Sequence, residues 1–200
     1  MPDIKADWVN KGSRVHKFEI EIEYLHNLKE LYKRLHFWLE DNGWKDLFGG
    51  DAYEVRYWQR DLPGGGMHEH HIWWRAWKHP GSMNHENKLF KQFLKINYQT
   101  IAASRKEMMH KGKKWKLDKS NTILRVESHL IMNWDDSWDG AFLKGLKGSF
   151  KSWLYKDKIA KQEEELFKLT VDFQNRIKNF LELATDKETE PNIYPPNMLP

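Results

Sequence analysis

The most chemical-looking stretch of this 200-residue chain is His68-Glu69-His70-His71. Side chains two apart on an extended strand share a face, so His68 and His70 stand together, with Glu69 and His71 opposite. Two imidazoles at that spacing suit zinc, which needs a third ligand and usually a fourth. His16, His79, His85 and His129 are further ligands by type, but chain spacing places none of them beside the pair. A metal-dependent hydrolase built on His68 and His70 is one reading, and a polar strand end beside a Gly-rich turn is the simpler one. Cysteine does not occur, which removes disulfides, thiolate metal sites and thiol nucleophiles. No HExxH or GxSxG pattern is present. Pro63-Gly64-Gly65-Gly66 leads into a strand and lacks the GK[ST] and helix of a phosphate-binding loop, so it reads as a hairpin connection. Asp135, Asp136 and Asp139 lack EF-hand spacing and suit the entry to a helix instead.

A second constellation is basic. The net charge of +4 is mild, yet eleven Lys and Arg fall between Lys88 and Arg125, against only Glu107 and Asp118. Lys111, Lys113, Lys114 and Lys116 crowd one turn around Trp115, with Arg105 and Lys106 just before it. Lys119 and Arg125 extend the patch if the flanking strands pair. Lysines neutralise phosphates with salt-sensitive affinity, and an exposed aromatic among them stacks on a base. The competing explanation is solubility, because lysines on exposed strands discourage edge-to-edge association. No RNP, KH or zinc-finger signature accompanies the patch. The eleven tryptophans serve cores, interfaces and stacking platforms alike, and burial is the default for most of them.

These residues need a scaffold, and hydrophobic periodicity supplies one. Residues 14–24 alternate, with His16, Phe18, Ile20, Ile22 and Tyr24 on one face and Lys17, Glu19, Glu21 and Glu23 on the other, as in a half-buried strand. A helix is predicted over about 25–41, where Leu28, Leu31, Leu35, Trp38 and Leu39 recur at three- and four-residue steps. Asn42-Gly43 is a suitable stop for it. Strands are then predicted at 52–62, with Tyr53, Val55 and Tyr57 on one face, and at 67–78. In the second, Ile72, Trp74 and Ala76 face one way while His71, Trp73, Arg75 and Trp77 face the other. Further strands follow at 93–103 and 122–132, with a short hairpin (106–110 and 114–117) between them and a turn at Asp118-Lys119-Ser120-Asn121. Helices close the pattern at 141–155 and about 157–183, the latter with an apolar stripe through Ile159, Leu166, Leu169, Phe173, Ile177 and Phe180. We expect an irregular lead over 1–13, a single α+β domain over 14–184 and a Pro-rich mobile tail over 185–200. The fold class is α+β: a curved antiparallel sheet of six to seven strands packed on a long C-terminal helix, with one helix after the first strand.

This order of elements resembles the helix-grip fold of START-like lipid- and ligand-binding proteins. That resemblance implies a bent sheet wrapping the last helix around an apolar cavity, which Tyr57, Trp74, Tyr98 and Val126 would line. The runs Tyr57-Trp58-Gln59-Arg60, Trp73-Trp74-Arg75-Ala76-Trp77-Lys78, Gly112-Lys113-Lys114 and Phe173-Gln174-Asn175-Arg176-Ile177-Lys178 look similar to an uncharacterised archaeal protein family. That similarity implies a cytoplasmic protein and transfers no catalytic residue.

Three functional classes follow. One is a non-enzymatic binding or assembly protein that offers an anionic partner, nucleic acid or protein, its basic hairpin; Trp73 and Trp77 on the second face of their strand favour it. The second is a helix-grip carrier of a small apolar ligand, and the third is the His68/His70 hydrolase. We favour the first, because no set of positioned acid, base and nucleophile stands out. No cofactor is expected. The polar N-terminus lacks a signal-peptide core and no window reaches the length of a membrane span, so the expectation is a cytoplasmic protein without membrane insertion.

Overall fold

The computed structural model describes residues 12–23, 25–63, 66–81, 89–110, 113–132 and 156–185. The strands are β1 (Ser13–Ile22), β2 (Leu25–His26), β3 (Glu54–Asp61), β4 (His68–Lys78), β5 (Phe90–His110) and β6 (Lys113–Met132). The helices are α1 (Leu28–Asp41) and α2 (Lys156–Thr185). The long strands form one antiparallel sheet in the order β1-β6-β5-β4-β3, and the two-residue β2 adds to β6. The chain is α+β, with one helix after the first strand and a long C-terminal helix in contact with β1 and β6. Residues 1–11 of the lead, His85, Lys111, Asp135, Asp136, Asp139, the 141–155 helix and the tail beyond Thr185 lie outside the described residues, while Ser13, expected in the lead, opens β1 and Thr185, expected in the tail, ends α2.

Alternation decides which sheet face the helices cover. Ile72, Trp74 and Ala76 of β4 are buried, as are Leu94, Ile96 and Tyr98 of β5 and Leu124, Val126 and Leu130 of β6. Register aligns them in rows across the strands, such as Phe18-Val126-Ile96-Trp74 and Ile20-Leu124-Tyr98-Ile72-Tyr57. The next row, Ile22-Thr122-Thr100-His70-Gln59, turns polar. On the opposite face, Glu127 pairs with Lys17 at 3.5 Å and Lys95 at 3.3 Å, and Arg125 with Glu19 at 2.9 Å.

Helix α1 begins where Asn27 accepts a hydrogen bond from the Glu30 amide through its side chain (3.1 Å), and β2 occupies the two residues expected to open the helix. It ends at Asn42-Gly43, where Gly43 has φ 68° and the Trp44 amide reaches back to the Leu39 carbonyl. Leu31, Leu35, Trp38 and Leu39 form its buried stripe. Helix α2 buries Leu166, Thr170, Phe173, Ile177 and Leu181 at three- and four-residue steps. The helices meet where the Trp38 ring packs 4.5 Å from Phe173 and the Trp38 indole N–H donates to Asp172 at 3.0 Å.

Three sequence expectations change. The predicted strand at 93–103 and the strand of the hairpin that follows it are one element, as are the second hairpin strand and the one at 122–132. Asp118-Lys119-Ser120-Asn121 is extended and paired rather than a turn. The apparent break is a bulge: register shifts between Ile101 and Ser104, and Ala102 sits at φ 55°. Such a bulge bends a strand without ending it. Tyr53 lies before β3 with its ring against His36 and Trp74 on the helix side, and a second register shift, between Glu54 and Arg56, breaks the expected alternation at Val55. Tyr53 is buried and donates to the Trp44 carbonyl at 2.9 Å, whereas Val55 is exposed.

Candidate functional site

Beneath the first turns of α1, against the β3-β4-β5 end of the sheet, lies a cavity of about 880 Å³. Helix α1 contributes Leu28, Lys29 and Tyr32, and β3 contributes Glu54, Tyr57 and Gln59. The floor is His68, His70 and Ile72 of β4 and Tyr98, Thr100 and Ala103 of β5, with Asp118 of β6 at one end. The site forms where the rows of the sheet change from apolar to polar, so its walls combine aromatic rings with hydrogen-bonding groups.

The polar groups are held in place. Tyr32 donates to Glu54 at 3.0 Å. Burial first, and Glu54 second, push its pKa up to about 12. Tyr57 donates to Gln59 at 3.0 Å, and its oxygen lies 2.9 Å from His70 Nδ1. With the hydroxyl proton given to Gln59, the Nδ1–H of neutral His70 donates to that oxygen and leaves Nε2 as an acceptor. His68 Nδ1 meets Asp61 at 2.8 Å. Thr100 and Thr122 share a hydroxyl contact at 3.3 Å, and Ser120 joins Thr122 at 3.1 Å. The Tyr98 hydroxyl is buried and makes no hydrogen bond of good geometry. Burial raises its pKa, against a smaller opposing effect of Thr100. All three tyrosines are therefore protonated at neutral pH and act as hydroxyl groups.

Burial lowers the pKa of His70, helped by nearby His68 and opposed by Asp118. Burial also lowers that of His129, on the other sheet face. A folded-state pKa below the unfolded value near 6.5 means that the unfolded chain binds protons first as pH falls. Stability from these groups is therefore complete above about pH 6.5 and declines as pH drops toward the folded-state values. The expected result is a lower urea midpoint at mildly acidic than at neutral pH. A His70→Gln, His129→Gln double variant should flatten that dependence; an unchanged slope would show that other groups carry it.

The structure gathers some of the sequence-predicted residues and separates others. Tyr57 and Tyr98 line the cavity. Trp74 and Val126 do not: Trp74 is packed edge-on beneath Tyr32 and His36, and Val126 is fully buried at the centre of the sheet. His68 and His70 both line it, with ring centroids 6.2 Å apart. Among the described residues, no cluster of three or more His, Asp or Glu has metal-binding geometry. The backbone segments 106–110 and 113–117 pair only with each other, beyond the last partners that β4 and β2 offer. Lys106, Lys113, Lys114, Trp115 and Lys116 belong to this projecting ribbon, the Arg105 backbone pairs with Asp118 at its base, and Lys106 is exposed. Arg125, expected to extend the patch, is instead held by Glu19 and Gln99.

Sequence reasoning missed Tyr32, Glu54, Thr100 and Asp118. Tyr32 had a usable signal, since it follows Leu28 by four residues on one helix face. Asp118 was hidden by its place in an apparent turn. Compared with protein-family models, curated proteins and solved structures, the chain finds no match in any of the three. No helix among the described residues is long and apolar enough to cross a membrane.

Proposed function

We propose that this protein binds a small molecule in the cavity beneath α1, in the manner of a helix-grip carrier. The support for this reading is a large cavity whose wall sets the hydrogen-bonding groups of Tyr57 and His70 beside the apolar side chains of Leu28 and Ile72. The volume lies within the range of small-molecule sites, which combine apolar walls with a few placed polar groups. The ligand class is a partly apolar, ring-bearing molecule with at least one hydrogen-bonding group. Leu28, Ile72 and Ala103 contact its body, and His70 Nε2 its polar end.

A neutral naphthylamine dye, whose fluorescence rises in apolar surroundings, tests the site. The dye should bind saturably, and Leu28→Trp, which fills the cavity from α1, should weaken it by about tenfold or more, a difference near 1.4 kcal/mol. Tyr98→Phe should raise the stability of the unliganded protein by about 1 kcal/mol, because it removes an unmet polar atom and little volume. Absence of saturable dye binding, or binding that Leu28→Trp leaves intact, would overturn the proposal.

A further inference from the structure

The sheet face opposite the cavity carries a second, independent arrangement. Strand β3 is terminal in the sheet order, and every one of its residues is exposed. Its outward residues Arg56, Trp58 and Arg60 pair directly with Trp73, His71 and Glu69 of β4. Three cross-strand rungs result. The Arg56 guanidinium lies 4.9 Å from the centre of the Trp73 ring. Trp58 and His71 meet edge to face at 5.0 Å. Arg60 binds Glu69 at 2.7 Å while lying 5.6 Å from the Trp58 ring centre, and Glu69 also meets His71 at 2.8 Å. Its carboxylate is thereby countered from both sides.

What remains available is cationic and aromatic. Arg56 has no ion-pair partner among the described residues, and Trp58 and Trp73 are 40% and 36% exposed. Arg56, Trp58, His71 and Trp73 enclose a shallow cleft of about 270 Å³, below the usual size of a small-molecule pocket and suited to one planar ring. Trp58 and Trp73 are diagonal neighbours on adjacent strands, roughly 7–8 Å apart in backbone position. Arginines alternating with indoles match a polymer that alternates anionic groups with flat rings. An acidic peptide would use the guanidiniums and leave the indole faces idle.

We propose that the exposed β3–β4 face binds single-stranded nucleic acid, with unpaired bases stacking on Trp58 and Trp73 and a backbone phosphate meeting Arg56. This site is separate from the cavity and from the projecting β5–β6 ribbon.

The test is fluorescence anisotropy of labelled oligothymidylate and oligouridylate with the full chain, at low and near-physiological salt. Binding should occur at low salt. Trp58→Thr and Trp73→Thr, which keep strand propensity, should each weaken it by about five- to a hundredfold. Arg56→Gln should reduce the salt slope by about 0.7. Circular dichroism and thermal melts establish that each variant is folded. Several results would overturn the proposal: no binding at low salt, equal affinity for a duplex or for oligoglutamate, or folded Trp variants that bind as well as the parent. A loss seen only with Lys113→Glu and Lys114→Glu would move the surface to the ribbon and overturn it as well. So would a dimer that buries Trp58 and binds no oligonucleotide.

Discussion

Replacing Phe173 with alanine should cost about 3–5 kcal/mol of folding free energy. Phe173 is fully buried on α2, and its ring packs 4.5 Å from Trp38 of α1. Truncation removes apolar burial and leaves a cavity at a junction formed by two rigid helices, which cannot collapse to fill it. The neighbouring hydrogen bond from the Trp38 indole to Asp172 depends on the same helix position. Urea unfolding followed by tryptophan fluorescence measures the loss. Phe173→Leu, which retains most of the volume, should lose far less. Similar losses for the two variants would mean that ring shape, rather than buried volume, decides this contact.

The second large effect is expected at Asp46, where alanine should cost about 3 kcal/mol. Asp46 is buried in the loop after α1, and its carboxylate accepts from the amides of Phe48 and Gly50 at 2.7 Å and of Ala52 at 3.2 Å. Without it, three loop N–H groups lose their partner, and hydrogen bonds to a charged acceptor are the stronger kind. This loop leads to Tyr53, which anchors on the Trp44 carbonyl, and then to Glu54 and Tyr57 in the cavity wall. Asp46→Ala should therefore also weaken binding of the naphthylamine dye in protein that remains folded, whereas Phe173→Ala acts chiefly on stability. Asp46→Asn keeps one carbonyl acceptor and should fall between alanine and the parent. Dye affinity unaffected by Asp46→Ala would show that the wall holds its position without the loop.

Local pattern was legible where each residue's neighbours in sequence were also its neighbours in space. The Asn42-Gly43 stop of α1, the alternation of β1 and β4 and the stripe of α2 all rest on periods of two or about 3.6 residues. The ribbon was harder. Lys-, Gly-, Asp- and Asn-rich segments near 111–121 have turn chemistry, but cross-strand pairing over nineteen register pairs between β5 and β6 overrides that preference at Asp118 to Asn121. Parity across a bulge was equally hidden. One extra residue near Val55 breaks the alternation of Tyr53, Val55 and Tyr57, and nothing in the local sequence marks the shift.

The sequence by itself determined the α+β class, the order of the principal described elements and the face that β1, β4 and the core stretches of β5 and β6 bury, because these follow from hydrophobic periodicity and chain connectivity. It also excluded thiol and disulfide chemistry within the given sequence, since no cysteine is present. Only the tertiary structure decided where the sites form. His70, Tyr98, Tyr32 and Asp118 come from four elements and meet at one cavity, and Arg56 meets Trp73 across a register set by a bulge. The physical reason is that register and helix docking are fixed by long-range packing, so residues far apart in the chain become neighbours through contacts that no local period encodes.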